Sequence, residues 1–314
     1  MSGRSHLSRG LGACLLLPLL LGLSSKPRAA EEPNGGRGWI ERTLATPTVG
    51  AAGFTAMDPG ATGIQITNLL SGDARITNSV AHNGSGVAVG DLDGDGRPDL
   101  VFAQLEGGNR MFRNRGGWRF EELDPREARC AQQRSSGIVL ADVDGDRDLD
   151  LLVNGIAAGT RLFLNDGRGG FSERRDSGLL RSTTPMSMAL ADIDGDGDLD
   201  LYCTHYIDIQ YLADPTIQLQ FRNDNGQRVL SRVNQQPAYL PPWLGRFRVK
   251  PDGGVEELPE PDALYRNEGE GRFRDISADP GVFQDAEGKP APRHRDWGLG
   301  VMFRDLNRDG APDF

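Results

Sequence analysis

Residues Gly90–Phe102 read GDLDGDGRPDLVF and place Asp91, Asp93, Asp95 and Asp99 within nine positions. Two like charges about 4 Å apart repel by roughly 4 kcal/mol at an effective dielectric near 20. A chain that gathers four carboxylates in this way needs a counter-charge among them, or a loop held open in water. The same pattern recurs as DVDGDRDLD from Asp142, DIDGDGDLD from Asp192 and DLNRDGAPD from Asp305. The spacings between starts are 51, 50 and 113 residues. A period near fifty points to stacked supersecondary units such as propeller blades.

The flanks repeat as well. A small-apolar run precedes each loop: GSGVAVG, SSGIVLA, SMALA and GLGVMF. Another follows the first three: LVFAQ, LLVNG and LYCTHY. An aromatic, Asn and Gly stretch comes next, in MFRNRGGWRF, LFLNDGRGGF and LYRNEGEGRF. Short apolar runs bounded by glycine read as strands, and Asn-x-Gly stretches between them as hairpins. Each unit is then strand, acidic loop, strand, turn, strand, glycine turn, strand, which is one four-stranded blade. The expected fold is an all-β propeller. The 113-residue interval carries a single aromatic-Asn-Gly hairpin, so it reads as one blade with an insertion at about 207–261. That insertion is rich in Pro and Gln (NQQPAYLPPW). GIQITNLL, residues 63–70, reads as a strand of a neighbouring blade.

Calcium takes several hard oxygens in a flexible wrap. Positions 1, 3, 5 and 9 of each loop offer side-chain oxygens, and position 7 a backbone carbonyl. The first loop supplies Asp91, Asp93, Asp95, Asp99 and the carbonyl of Arg97. The second supplies Asp142, Asp144, Asp146, Asp150 and the carbonyl of Asp148. The third supplies Asp192, Asp194, Asp196, Asp200 and the carbonyl of Asp198. The fourth supplies Asp305, Asn307, Asp309, Asp313 and the carbonyl of Ala311. Asn307 keeps an oxygen but drops a charge, so the fourth site is expected to be weaker. Gly94, Gly145 and Gly195 allow a tight backbone; Arg147 stands where the other loops have glycine at position 6. An EF-hand is excluded because position 12 is Phe102, Val153 or Cys203 in place of Glu, and the flanks read as strands. Mg²⁺ is disfavoured because it keeps its waters, and Zn²⁺ because neither His nor Cys joins the set. Four Ca²⁺ would add +8 against a net charge of -10.

The chain has 314 residues, 37% hydrophobic and 25% charged, a globular composition. Its acidity argues against a nucleic-acid surface. Arg4 and Arg9 precede an apolar run at 11–23, LGACLLLPLLLGL, too short to span a membrane and suited to an export signal cleaved after Ser24. The apolar run follows Cys14, so LGAC does not read as a lipidation box. The expected division is a signal peptide at 1–24, a flexible linker at 25–53 and a partial propeller at 54–314, with no transmembrane anchor once the signal is removed. Cys130 and Cys203 then remain, either bridged or as buried free thiols. Among catalytic candidates, His82, His205 and His294 are the histidines beyond the signal, and no GxSxG, HExxH or phosphate loop occurs.

GVAVGDLDGDGRPDLVF, IVLADVDGDRDLDLLV and MALADIDGDGDLDLYC resemble the FG-GAP/VCBS repeats of integrin-alpha-like propellers. Together with LYRNEGEGRFRDIS and WGLGVMFRDLNRDGAPDF they are similar to the cartilage acidic protein-like (ASPIC/UnbV) family, over about residues 54–314. The letters FG-GAP themselves do not occur in order. The resemblance implies a seven-bladed propeller with calcium between the first two strands of a blade, in an extracellular or periplasmic protein that often ends in an ASPIC/UnbV module. About three and a half blades are read here, as expected of a fragment of a longer protein. The expected function is a secreted calcium-binding module for a protein or glycan ligand at the cell surface. An extracellular polysaccharide-acting enzyme and a structural spacer are the alternatives.

Overall fold

The period-fifty pattern folds into three successive four-stranded antiparallel sheets in a computed structural model that describes residues 53–71, 84–207, 216–241, 243–285, 287–293 and 295–314. The expected export signal at 1–24, nearly all of the expected linker, His82 and His294 lie outside the described residues. Ala56–Phe314 form one contact-defined unit.

The first sheet has the order β1(Val87–Gly90), β2(Asp99–Phe102), β3(Arg110–Asn114) and β4(Phe120–Leu123). The second repeats it with β5(Ser135–Ala141), β6(Asp150–Gly155), β7(Gly159–Asn165) and β8(Phe171–Glu173). The third begins with β9(Pro185–Ala191) and β10(Asp200–His205). Five strands then intervene: β11(Leu219–Asp224), β12(Gln227–Val233) and β13(Gln236–Pro237) in one small sheet, and β14(Phe247–Val249) with β15(Val255–Glu257) in a hairpin. The third sheet is completed by β16(Ala263–Asn267) and β17(Phe273–Asp275).

Each acidic loop is the hairpin connection between a sheet's first two strands. The register closes it with the same step each time: Gly90 opposite Asp99, Ala141 opposite Asp150, Ala191 opposite Asp200. Strand β10 runs from the loop at Asp200 toward His205, and β16 returns to Asn267. The inserted strands β11–β15 therefore leave the third blade at the end remote from the acidic loops.

Alternation along the strands sends neighbouring side chains into different cores, as a pleat requires. Leu151 and Val153 pack with Ala88, Val101 and Met111 of the first sheet, while Leu152 between them packs with Leu201, Cys203 and Tyr265 of the third. Leu201 and Cys203 face the second sheet, and Tyr202 turns the other way, toward Phe283, Val301 and Phe303. Sheets stacked face to face through such double-sided strands are propeller blades, and the all-β reading holds. The innermost strands β1, β5 and β9 lie side by side. At Ser136 the approach is close enough for its hydroxyl to donate to the Pro185 carbonyl at 2.7 Å.

Two expected strands are absent. Gly63–Leu70 does not join a ladder: a short helix, Pro59–Thr62, ends at Gly63, and side chains of the first blade hold the segment that follows. Gln104 donates to the Thr67 carbonyl at 2.9 Å, and Asn68 accepts from Leu105 N–H at 3.1 Å. GLGVMF before the fourth loop likewise forms no strand. The fourth unit keeps only the bridge between Arg304 and Asp313, because a strand exists by virtue of its pairing and one bridge makes no ladder. Cys130 and Cys203 are both free and buried, in different cores. No described helix is long and apolar enough to cross a membrane.

Candidate metal centre

The four acidic loops share one backbone. Positions 4 and 6 are left-handed in all of them: Gly94 (φ 71°) and Gly96 (82°), Gly145 (82°) and Arg147 (77°), Gly195 (79°) and Gly197 (98°), Arg308 (67°) and Gly310 (93°). Two left-handed residues with one between them curl the loop inward. Glycine adopts that conformation freely, whereas Arg147 and Arg308 hold it against a steric cost.

The curl is fastened by the first aspartate. Asp91 accepts from the N–H groups of Asp95 and Gly96, at 3.1 and 2.7 Å. Asp142 accepts from Gly145 and Arg147, and Asp192 from Gly195 and Gly197, at 2.7–3.0 Å. Asp305 accepts from Arg308, Asp309 and Gly310.

The ninth position is different. Asp99, Asp150 and Asp200 are wholly buried. One oxygen of each accepts from the loop's second residue: Leu92, Val143 or Ile193, at 3.0, 3.0 and 2.8 Å. The other accepts from the asparagine that ends the third strand: Asn114, Asn165 or Asn267, at 2.7, 2.9 and 2.8 Å. This aspartate staples the loop to the sheet. Burial pushes its carboxyl upward in all three blades, to about 6 for Asp150, against the pull of those two N–H donors, and the neighbouring loop carboxylates push it further. A cation in the loop would act in the opposite sense and favour the carboxylate.

In three blades the carboxylates converge. Asp91, Asp93 and Asp99 each bring an oxygen within 4.8 Å of the others, as do Asp142, Asp144 and Asp146, and Asp192, Asp194 and Asp200. Asp95, Asp196 and the second loop's Asp150 stand outside these trios, and the fourth loop assembles none among the described residues. Asp148 and Asp198 each donate a backbone N–H to the position-5 carboxylate, at 2.9 Å. Asp93 Oδ1 is buried and has no hydrogen-bond partner among the described residues. A buried oxygen left unsatisfied is costly unless something fills its site. The donor set is all oxygen, so these residues fit a hard divalent cation such as Ca²⁺.

Residues not singled out from the sequence complete the arrangement. Asn165 Nδ2 donates to the Leu149 carbonyl of its own blade and to the Leu92 carbonyl of the preceding blade's loop, at 3.1 and 3.0 Å. Asn267 repeats this with Leu199 at 3.3 Å and Val143 at 2.8 Å. The recurring Asn was visible as a hairpin signal; its reach into the next loop was not. Arg113 Nε lies 2.8 Å from Asp93 Oδ2, and Arg97 pairs with Asp95.

His205, a catalytic candidate from the sequence, is buried with both ring nitrogens engaged. It is 1% exposed, with Nδ1 3.1 Å from the Cys203 carbonyl and Nε2 3.1 Å from Thr183 Oγ1. Burial lowers its pKa to about 4.

The FG-GAP-like repeat family matches this chain twice, over residues 91–153 and 142–203, which are the first two acidic loops with the strands after them and the third loop. The chain thus carries FG-GAP-like repeats at two adjacent positions. No curated protein matches it. Among solved structures, a Bacteroides uniformis protein described as a 6-phosphogluconolactonase is 14% identical, over 60% of this chain and 52% of that one, with a TM-score of 0.24. The match thus spans about half of that protein's length, and a likeness this distant carries no argument.

Proposed function

We propose that the chain is an extracellular interaction module whose acidic loops each take a Ca²⁺ ion, up to four in all. The observation that carries this is the convergence of three carboxylates in each of three consecutive blades, with a buried Asp93 oxygen lacking a partner in the first. Bound Ca²⁺ neutralises the cluster and ties the first two strands of a blade together, so that binding energy becomes folding energy. The ligands are the side chains at positions 1, 3, 5 and 9 and the carbonyls of Arg97, Asp148, Asp198 and Ala311. The N-terminal export pattern agrees with a calcium-rich, extracellular setting.

The loops stiffen one end of the blades and leave the other for recognition. The insertion stands at that other end, tied down by Glu260, which accepts from Thr184 N–H at 2.6 Å. It exposes Tyr239, Leu240 and Leu244. An exposed aromatic and aliphatic patch of this kind is what a protein or glycan partner covers. Thermal melting with and without Ca²⁺, followed by glycan-array and cell-surface binding of the protein in both states, tests the reading. Equal melting in chelator and in millimolar Ca²⁺ rejects the metal role. Loss of binding in the Tyr239→Ala variant, with melting unchanged, supports the insertion as the recognition surface.

A further inference from the structure

The three converging loops share one carboxylate pattern but are electrostatically unequal, and part of the inequality comes from a residue outside the loops. The residue just before the stapling asparagine is Arg113 in the first blade, Leu164 in the second and Arg266 in the third. Arg113 Nε sits 2.8 Å from Asp93 Oδ2, with the arginine side chain 23% exposed. The guanidinium also reaches the Arg168 carbonyl of the next blade through Nη2, at 3.2 Å, which holds it over the loop. Arg266 Nη1 stands at 4.0 Å from Asp194 Oδ2 and shares its charge with Glu268, 3.1 Å from Nη2. In the second blade Leu164 packs on the core between the second and third sheets. No basic side chain pairs with Asp142, Asp144 or Asp146 among the described residues. The first loop carries a second arginine too, Arg97 on Asp95.

We propose that Arg113 is a built-in counter-cation of the first acidic loop, competing with a divalent ion for Asp93, and that the residue before the stapling asparagine ranks the three loops in affinity. The second loop binds tightest, the third less tightly and the first weakest. The inference rests on the reading of the loops as cation sites. The physics is direct. A fixed positive charge a few ångströms from the site repels the ion and occupies one of its ligand oxygens, whereas leucine does neither. At this distance and exposure one such charge changes the dissociation constant by on the order of tenfold. A guanidinium cannot shed its proton to make room, so it must be displaced intact.

The test is calorimetric titration of the intact protein with Ca²⁺ alone, for wild type, Arg113→Leu, Arg113→Lys and Leu164→Arg. Wild type is expected to show one tight site followed by weaker ones. Arg113→Leu raises the affinity of the first loop on the order of tenfold, with Arg97 on Asp95 still holding it below the second, while Arg113→Lys leaves the isotherm as it was. Leu164→Arg removes the tight site by a similar factor. Heat of binding in wild type with unchanged isotherms in Arg113→Leu and Leu164→Arg overturns the ranking but leaves the cation reading standing. Absence of binding heat in every protein overturns both. Should either charge-changing variant not fold, the other decides, since they lie in different blades: Leu164→Arg either weakens the tight site or leaves it, and Arg113→Leu either gains affinity or does not.

Discussion

Asn165, at the end of the second blade's third strand, donates to the carbonyl of Leu92 in the first blade's acidic loop at 3.0 Å, across 73 residues of sequence. The bond makes one blade's loop part of the next blade's hairpin. Asn267 does the same to Val143, 124 residues away. Both asparagines are buried and also accept, through Oδ1, from the glycine two residues on. The candidate cation sites are thereby wired into the stacking of the blades.

Asn165→Ala deletes two donated bonds and two accepted ones, from Gly167 and Gly169, and leaves the Leu92 and Leu149 carbonyls without them. Denaturant unfolding is expected to show a loss of about 2–4 kcal/mol. Asn114→Ala is expected to cost less, because Asn114 Nδ2 donates only to Pro98 of its own blade.

Chelation is expected to lower the melting midpoint of the protein, and Ca²⁺ to restore it. Asp144→Ala removes one member of the second trio and is expected to shrink the calcium-dependent gain more than Asn307→Ala, which alters a loop where no trio forms. Differential scanning calorimetry in chelator and in Ca²⁺ compares the two. A larger effect from Asn307→Ala would contradict the assignment.

Arg147 holds a φ of 77° where glycine stands in the first and third loops. Arg147→Gly relieves a left-handed penalty of about 1–2 kcal/mol and adds back about 0.5–1 kcal/mol of unfolded-state entropy. The net expectation is a stabilisation of about 0.5–1 kcal/mol, read from the shift in denaturant midpoint.

Acid is expected to remove the contributions of His205 and Glu173 in two overlapping windows, while Asp150, raised to about 6 from an ordinary 3.8, acts in the opposite sense between those values. His205 is held neutral by burial, with a folded pKa of about 4 against an ordinary 6.5, so the unfolded chain binds its proton first. Its contribution is complete above pH 6.5 and is lost as pH falls toward 4. Glu173 lies lower, at about 2 against 4.5, chiefly because Arg161 grips its carboxylate with two bonds of 2.8 Å, with Arg181 adding a third at 2.9 Å. Its contribution, about 3 kcal/mol, is present above pH 4.5 and disappears as pH falls toward 2. Stability measured against pH should lose the upper window in His205→Gln and the lower one in Glu173→Gln.

The blade was legible because its signals are local. Alternating small-apolar runs, the period near fifty and glycine at turn positions belong to segments of a dozen residues, and each strand of the first three units falls where they point. The failures share one cause. GIQITNLL and GLGVMF have strand composition, yet neither finds a ladder in which to pair, and composition cannot supply a neighbour. Site residues divide in the same way. Spacing alone brought Asp91 and Asp93, or Asp142, Asp144 and Asp146, to one loop. It did not reveal that Asp99, Asp150 and Asp200 turn inward with both oxygens bonded to backbone.

The amino-acid sequence by itself determined the repeating strand-loop-strand unit and the crowding of carboxylates in its first turn, because chain connectivity and side-chain alternation act over a few residues. Only the tertiary structure decided which carboxylates staple the sheet, which asparagine bridges to the preceding loop, and that Arg113 rests on Asp93. Those partners are separated by tens of residues, and burial between stacked blades is what brings their charges and hydrogen-bonding groups into contact.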